Sequence, residues 1–179
     1  MVVTDGSYIK EHHPDLCLAV FVLECTKGGG HLVRAFAKAS AAANAYRGEL
    51  LGLMAIHLLL LAVEMVLPGL RGRELIYSNC LGALGCVADL PPYRIPTHCR
   101  HSDILKTIMV NCANTSFWRE YIHLAAHQDE HIHWDAMTRP AQLNLACDMG
   151  AKAILRAQDA TNLPIQETFP LEPISIRRG

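Results

Sequence analysis

The sequence predicts one α/β domain built on a mixed five-stranded sheet with helices on both faces. Up to Ala39 it holds three runs rich in β-branched and other apolar residues, separated by turn signals, which indicates a three-stranded antiparallel meander. A long apolar helix then leads to another strand, and a right-handed crossover places such a strand parallel to the first. Because 51% of the 179 residues are hydrophobic, the chain can bury an ample core.

The first half of the chain supplies the meander and the crossover helix. The predicted strands are residues 1–9, 16–25 and 31–39. The helix is predicted over 44–66, with Asn44 as its N-cap and Pro68-Gly69 at its end. Its apolar run is interrupted by Gly52 and His57 and is too short to cross a bilayer, so we expect a buried helix and no membrane partner.

The second half supplies the parallel strands and the remaining helices. The predicted elements are a strand at 74–78, a helix at 81–89, an irregular stretch at 91–96, a helix at 103–111 capped by Ser102, a strand at 117–126, a polar loop at 127–139 and a helix from about 140 to 157. The domain is assigned to residues 1–160, and a proline-containing tail to 161–179.

Charge and cysteine content limit the classes of protein. The net charge of −1 and the pI near 6.8 give no strongly basic balance, so any grip on nucleic acid must be local or come from a neighbouring domain. The seven cysteines are odd in number, scattered and without a CxxC pair, which favours reduced thiols in an intracellular protein, cytoplasmic or nuclear. Acids and histidines arrive by residue 15, so no signal peptide is predicted.

Five short motifs carry polar residues that follow strands or open helices. Asp5 ends a β-branched run, where a buried acid costs free energy unless it holds a metal or a partner, although a turn aspartate gives the same pattern. The motifs, in chain order, are TDGSY (4–8), YRGELLGL (46–53), YSNCLGAL (77–84), AAHQDE (125–130) and NLACDMGAKA (144–153).

Together these motifs closely resemble the ribonuclease H domain in the version attached to retroelement reverse transcriptases, over about residues 2–157. The resemblance implies hydrolysis of the RNA strand of an RNA–DNA hybrid. It also implies two Mg²⁺ ions, for which Mn²⁺ can substitute, and no small-molecule cofactor. The implied partners are the hybrid and the polymerase part of a reverse transcriptase.

The resemblance assigns roles to individual positions. The implied metal ligands and catalytic residues are Asp5, Glu49, Asn79 and Asp148, with His127 as the family's mobile histidine and Asp5 as the ligand that bridges both ions. Such residues suit the chemistry, because phosphodiester hydrolysis needs an activated water and a stabilised leaving alkoxide, which two Mg²⁺ ions provide. Magnesium prefers hard oxygen ligands, and carboxylates from separate elements can converge on it.

Substrate contacts are also implied. Arg47 matches a position near the RNA minor groove, where 2′-hydroxyls are read, and its implied neighbours are Gly6, Ser7, Tyr8, Asn44 and Tyr46. The most basic stretch contains Arg94, His98, Arg100, His101 and Lys106, where some relatives carry a basic protrusion that grips DNA phosphates. A solvated loop explains this stretch equally well.

Asn79 departs from the family, which has aspartate at that position. An amide keeps the shape but removes one negative charge, so one metal should bind weakly. A natural residue would indicate a degenerate domain, whereas an introduced change would leave an intact but inactive site. The other positions are intact, which favours the introduced change.

Several structural alternatives stay open. Glu49 could complement the helix macrodipole, and Asp148 could be a solvated residue paired with Lys152 at i+4. The histidines and acids of 127–133 could form a zinc cluster, although they lack finger spacing and a helical HExxH motif. At the level of function, the alternative is a non-catalytic module of the same fold that binds hybrid or braces a larger reverse transcriptase.

Overall fold

The computed structural model of the chain describes residues 1–11, 14–26, 28–89, 95 and 99–158. Its five strands are β1 (Val2–Ser7), β2 (Leu16–Glu24), β3 (His31–Ala39), β4 (Arg73–Ser78) and β5 (Trp118–His123). They form one sheet in the order β3-β2-β1-β4-β5. The first three are antiparallel neighbours, whereas β4 pairs in parallel with β1 and with β5. The predicted mixed sheet is therefore confirmed.

Four α-helices cover the sheet in the described part of the chain. They are α1 (Ala45–Val66), α2 (Leu81–Ala88), α3 (Ser102–Ala113) and α4 (Arg139–Gln158). Helix α1 packs on β1 and β2, and α3 packs against α1. Residues of α2 belong to the same core. Helix α4 lies against β1 and β2 from the other side. Helices thus lie on both faces, as predicted.

Strand β2 shows why the central strands are apolar throughout. Its alternate residues Cys17, Ala19 and Phe21 enter the core under α1. The intervening residues Leu16, Leu18, Val20 and Val22 enter the core under α4. A strand that is buried on both faces cannot alternate between apolar and polar residues, so its sequence reads as a continuous apolar run.

Helix α4 has a polar composition but packs through one apolar row. The buried residues Leu143, Cys147, Ala151 and Leu155 recur at intervals of four and pack on the sheet. This spacing places them on one side of the helix. The adjacent row, also at intervals of four, holds Asn144, Asp148 and Lys152, and these residues line a cleft with Asp5 of β1 and Asn79, which follows β4.

Helix α1 is the main core helix. Its N-cap is Asn44, as predicted, and the side chain of that residue accepts a hydrogen bond of 2.9 Å from the Arg47 amide. The prediction that its apolar run is too short to cross a bilayer was wrong for the helix as a whole, because all 22 residues are helical and apolar enough to cross a membrane by length and composition alone. However, 56% of its most apolar window is buried in the protein, so the core accounts for its apolar character.

Some predicted boundaries were wrong. Strand β5 ends at His123, not 126, because its partner β4 ends at Ser78, opposite His123. Helix α3 begins at Ser102 itself, and the capping position belongs to His101, which has a φ of 60° and makes no side-chain capping bond. Helix α4 begins at Arg139, so Pro140 is its second residue. Most of the predicted irregular stretch at 91–96 and the whole tail at 161–179 lie outside the described residues.

Candidate active site

Strands β1 and β4 bring two predicted site residues together. Thr4 and Ser78 are the last partners in the parallel pairing, so Asp5, inside β1, and Asn79, just after β4, follow side by side. The Asn79 side chain lies within hydrogen-bonding reach of the Asp5 carboxylate. The point at which the parallel pairing stops therefore forms one edge of the site.

Glycine at position 6 lets α1 approach this edge. A Cβ atom on Gly6 would lie 2.3 Å from the Glu49 nitrogen and 2.4 Å from the Gly48 carbonyl carbon. Only a residue without a side chain permits that contact. It places the Glu49 carboxyl group, which is 9% exposed, in hydrogen-bond contact with Asp5, and the Ser78 hydroxyl donates to it at 3.5 Å.

Asp5 and Glu49 form a buried acidic pair. Burial is the largest cause that raises the pKa of the Asp5 carboxyl, and the charge of Asp148 raises it further. Burial likewise raises the pKa of Glu49 well above its ordinary value, and the charge of Asp5 adds to the effect. Two carboxyl groups in such a place resist double ionisation unless a cation compensates them.

These side chains line a cleft of about 280 Å³. All five predicted catalytic positions contribute to it, together with Gly6: Asp5, Glu49, Asn79, His127 and Asp148. Asp148 also forms an ion pair of 2.7 Å with Lys152, which was the structural alternative for this residue. Thus the contact with Lys152 and the position in the cleft coexist.

Two histidines lie near the strand ends. The predicted histidine, His127, has a φ of 54°, and its ring lies 3.6 Å from Glu130. Its side chain is exposed at the rim of the cleft. His123, which was not among the residues predicted from the sequence, has its Nε2 atom 3.2 Å from the Asn79 carbonyl oxygen. Its place as the last residue of β5, next to the end of β4, is a signal that could have found it.

Asn144 is a second residue that the sequence analysis did not single out. It lines the cleft one helical turn before Asp148 and is 9% exposed. Its Oδ1 atom is buried and has no hydrogen-bond partner among the described residues. An unsatisfied buried oxygen is costly, so this amide has capacity to accept one more hydrogen bond.

Arg47, the predicted reader of the RNA minor groove, is engaged within the chain. Its side chain is only 6% exposed and forms a two-pronged ion pair with Asp103 at the start of α3. One of its terminal nitrogens also lies 3.3 Å from His101. In this arrangement the guanidinium joins α1 to α3 and does not face solvent.

Of the other predicted substrate contacts, Gly6 lines the cleft and the remaining described residues do not. The Tyr8 hydroxyl donates to the Pro14 carbonyl, and Tyr46 donates to the Gly82 carbonyl, while Ser7 is half-buried and Asn44 caps α1. In the basic stretch, Arg100 is exposed, Lys106 is half-buried and His101 is buried. Arg94 and His98 lie outside the described residues.

The oxygen donors of the cleft suit a hard divalent cation. Asp5 lies within hydrogen-bonding reach of both Glu49 and Asn79, and Asn144 lines the same cleft. These are the donor types that Mg²⁺ prefers. Within the described ranges, no three His, Cys, Asp or Glu side chains form a ready metal cluster. An amide occupies one position, and Lys152 holds Asp148.

Comparison with proteins of known structure identifies the fold. No protein-family profile matches the sequence, and no curated protein matches it. Solved structures do match. The N-terminal RNase H domain of a Mycobacterium tuberculosis protein, solved as a fusion with maltose binding protein, has a TM-score of 0.54 and 13% identity, with 89% of this chain and 98% of that chain covered.

Two further structures agree. LC11-RNase H1 in complex with an RNA/DNA hybrid has a TM-score of 0.50 and 13% identity, with 83% of this chain and 96% of that chain covered. The prototype foamy virus protease-reverse transcriptase has a TM-score of 0.60 and 14% identity, with 85% of this chain but only 20% of that chain covered. The protein has the ribonuclease H fold. The resemblance and the fold class predicted from the motifs are confirmed at the level of the fold.

Proposed function

We propose that the protein is an RNA–DNA hybrid endoribonuclease of the ribonuclease H type. The observation that carries the proposal is the contact of Asp5 with Glu49 and Asn79 where the parallel pairing of β1 and β4 stops, beside Asp148 in one cleft. The hybrid-bound RNase H1 of the same fold supports this substrate class. Membership in a reverse transcriptase is part of the proposal and is supported by the foamy virus protein.

Two divalent cations, Mg²⁺ or Mn²⁺, would be held by the oxygens of Asp5, Glu49, Asn79 and Asp148, with Asp5 shared between them. The chemistry that such cations supply is activation of the attacking water and stabilisation of the leaving alkoxide. The chain's own residues fix the geometry: Gly6 seats Glu49 against Asp5, and the Ser78 hydroxyl orients the Glu49 carboxylate. His127, exposed at the rim, would carry a proton to or from the departing group.

In this proposal, Asn79 weakens the binding of divalent cations at the site. An amide offers one oxygen and no charge, so three carboxylates remain for two dications. Its side chain also donates to Asp5, which commits one lone pair of the proposed bridging ligand. We therefore expect low activity in this chain.

The test is cleavage of a labelled RNA–DNA hybrid in Mg²⁺ and in Mn²⁺, timed for this chain and for Asn79→Asp. The added carboxylate should raise the rate by orders of magnitude, because each ~1.4 kcal/mol of transition-state stabilisation is tenfold in rate. Asn114→Asp is a matched control, since Asn114 is exposed at the end of α3 and does not line the cleft. It should leave the rate unchanged.

A second candidate function is a non-catalytic module that binds hybrid or braces a reverse transcriptase. The observation that favours it is the amide at position 79, together with the lack of a ready acidic cluster among the described residues. Absent cleavage by both proteins would support this module and reject the nuclease. Equal and high cleavage would show that three acids suffice and that the account of Asn79 is wrong.

A further inference from the structure

The acidic cleft contains one lysine in the part of the chain that the structure describes. Lys152 lies on α4, one turn after Asp148, and both side chains line the cleft. The Lys152 ammonium lies 2.7 Å from Asp148 Oδ2. At this distance the ammonium donates a charge-assisted hydrogen bond to that oxygen.

The cleft thus balances its acids in two different ways. Asp5 and Glu49 are buried and hydrogen bonded to each other. Asp148 is 31% exposed and is neutralised by an ammonium that is itself 50% exposed. The positive charge therefore serves an acid that the solvent reaches and leaves the buried pair uncompensated.

A carboxylate oxygen that accepts a hydrogen bond from an ammonium is poorly placed to bind a dication. The two cations repel each other, and the lone pair directed at one is not available to the other. However, the Lys152 side chain is long and half exposed, so it can leave the pair at a modest free-energy cost.

We propose that Lys152 is a built-in counter-ion of the cleft, which occupies Asp148 until a divalent cation displaces it. The inference rests on the proposed role of Asp148 as a metal ligand. Lys152 is thus a positioning residue that acts through Asp148, and it sets how tightly the cleft takes up its cation.

Calorimetric titration with MnCl₂ tests the inference. Lys152→Met keeps the length of the side chain and its helix propensity but removes the charge. It should bind Mn²⁺ about two- to fivefold more tightly than the parent chain, the range that exposed ion pairs contribute. Arg156→Met is the matched control, because Arg156 is an exposed cation on the same helix and does not line the cleft. It should leave the affinity unchanged.

A double-mutant cycle separates competition for Asp148 from a general change of charge. In an Asp148→Asn background, Lys152→Met should leave the Mn²⁺ affinity unchanged, because the oxygen for which the two cations compete has lost its charge. The whole series is repeated with Asn79→Asp, where the added carboxylate strengthens binding. Thermal unfolding of each variant without metal verifies that it is folded.

The outcomes distinguish the inference from the proposed function. If both the parent chain and Asn79→Asp bind Mn²⁺ but Lys152→Met binds it equally or less tightly, the counter-ion role is rejected and the metal site stands. If Lys152→Met and Arg156→Met tighten binding equally, a long-range charge effect explains the change and the counter-ion role is rejected. If neither the parent chain nor Asn79→Asp binds Mn²⁺, the proposed metal-dependent function is rejected, and the inference is rejected with it.

Discussion

Asn79 has a structural effect at the residue scale in addition to its proposed effect on metal binding. Its side chain donates a hydrogen bond to Asp5, which is 4% exposed and already close to Glu49. A neutral donor at this position relieves the acidic pair, whereas a carboxylate would add a third negative charge. The residue that weakens the proposed metal site should therefore stabilise the metal-free protein.

We expect Asn79→Asp to lower the free energy of unfolding without divalent cations by about 1–3 kcal/mol, the usual range for a partly buried unfavourable charge. Adding Mg²⁺ should recover the loss, since a ligand that binds only the folded state stabilises it. Denaturant titrations with and without Mg²⁺ measure both effects. Asn114→Asp is the control for the metal response, because it adds a carboxylate away from the cleft and Mg²⁺ should not stabilise it further than the parent chain. A variant that is more stable than the parent chain without metal would contradict this account.

Substitution of Asp5 should have the opposite effect on metal-free stability from Asn79→Asp. Removing its charge abolishes the proposed bridging ligand but relieves repulsion with Glu49, so Asp5→Asn should lose cleavage and Mn²⁺ binding while its stability at neutral pH holds or rises. Burial raises the pKa of Asp5, so in the parent chain stability falls as pH rises from the ordinary carboxyl range through the raised value. The advantage of the variant should therefore shrink as the pH is lowered.

The measurement for Asp5→Asn is chemical unfolding across a pH series. Asp135→Asn is the control, because the Asp135 side chain is 85% exposed and should show neither effect. A clear loss of stability at neutral pH would instead identify Asp5 as a structural hydrogen-bond acceptor.

At the scale of elements, the site depends on how closely α1 crosses β1. The backbone of Gly6 touches the first turns of the helix, and Gly52, one turn further along, lies over Thr4. A Cβ atom at position 52 would lie 2.0 Å from the Thr4 hydroxyl oxygen, so glycine is required on both sides of this crossing. The Arg47–Asp103 ion pair then ties the same end of α1 to α3.

We expect Gly6→Ala to destabilise the protein by at least about 2 kcal/mol, because the added methyl group meets backbone atoms that cannot rotate away. Gly85→Ala is the matched control. Beyond the backbone of α2 itself and the two neighbouring residues, no atom of the described residues lies within 4 Å of a Cβ at Gly85, which is in the middle of the helix. There alanine should stabilise by about 0.5–1 kcal/mol through helix propensity. Thermal unfolding compares the two, and a neutral Gly6→Ala would contradict the close crossing.

At the scale of the whole molecule, one buried histidine links three elements of the core. His57 of α1 is 1% exposed, and its Nε2 atom lies 3.1 Å from the Tyr121 hydroxyl of β5. Its Nδ1 atom lies 3.7 Å from the Cys112 sulfur of α3. Burial lowers the pKa of His57 to about 3, so the ring is neutral in the folded protein at ordinary pH.

This histidine makes global stability depend on pH. Between about 3 and its ordinary value of 6.5 the unfolded state binds a proton that the folded state does not, so stability is lost as the pH falls through that window. The slope from this group is about 1.4 kcal/mol per pH unit. Denaturant titrations at pH 7 and pH 5 should show it. His57→Gln should flatten the dependence, whereas His133→Gln, whose side chain is 82% exposed in the parent chain, should not.

The sequence alone determined the order of the elements and most of the site, because these follow from local patterns. Apolar runs, turn residues and the Asn44 cap define the strands and α1, and the crossover rule placed β4 beside β1. That neighbourhood already implied that Asp5 and Asn79 would meet. The motifs also selected Glu49 and Asp148, the other two acids proposed as metal ligands.

Only the tertiary structure decided the features that depend on distant partners. Strand β5 stops at His123 because β4 has no residue left to pair with it, although the apolar run continues to 126. Arg47 is buried because its partner, Asp103, belongs to a different helix far along the chain. Lys152 was foreseen as a partner of Asp148, but only the packing of α4 against β1 shows that this pair lines the acidic cleft. Such contacts leave no local signal, since they arise when separate elements pack against each other.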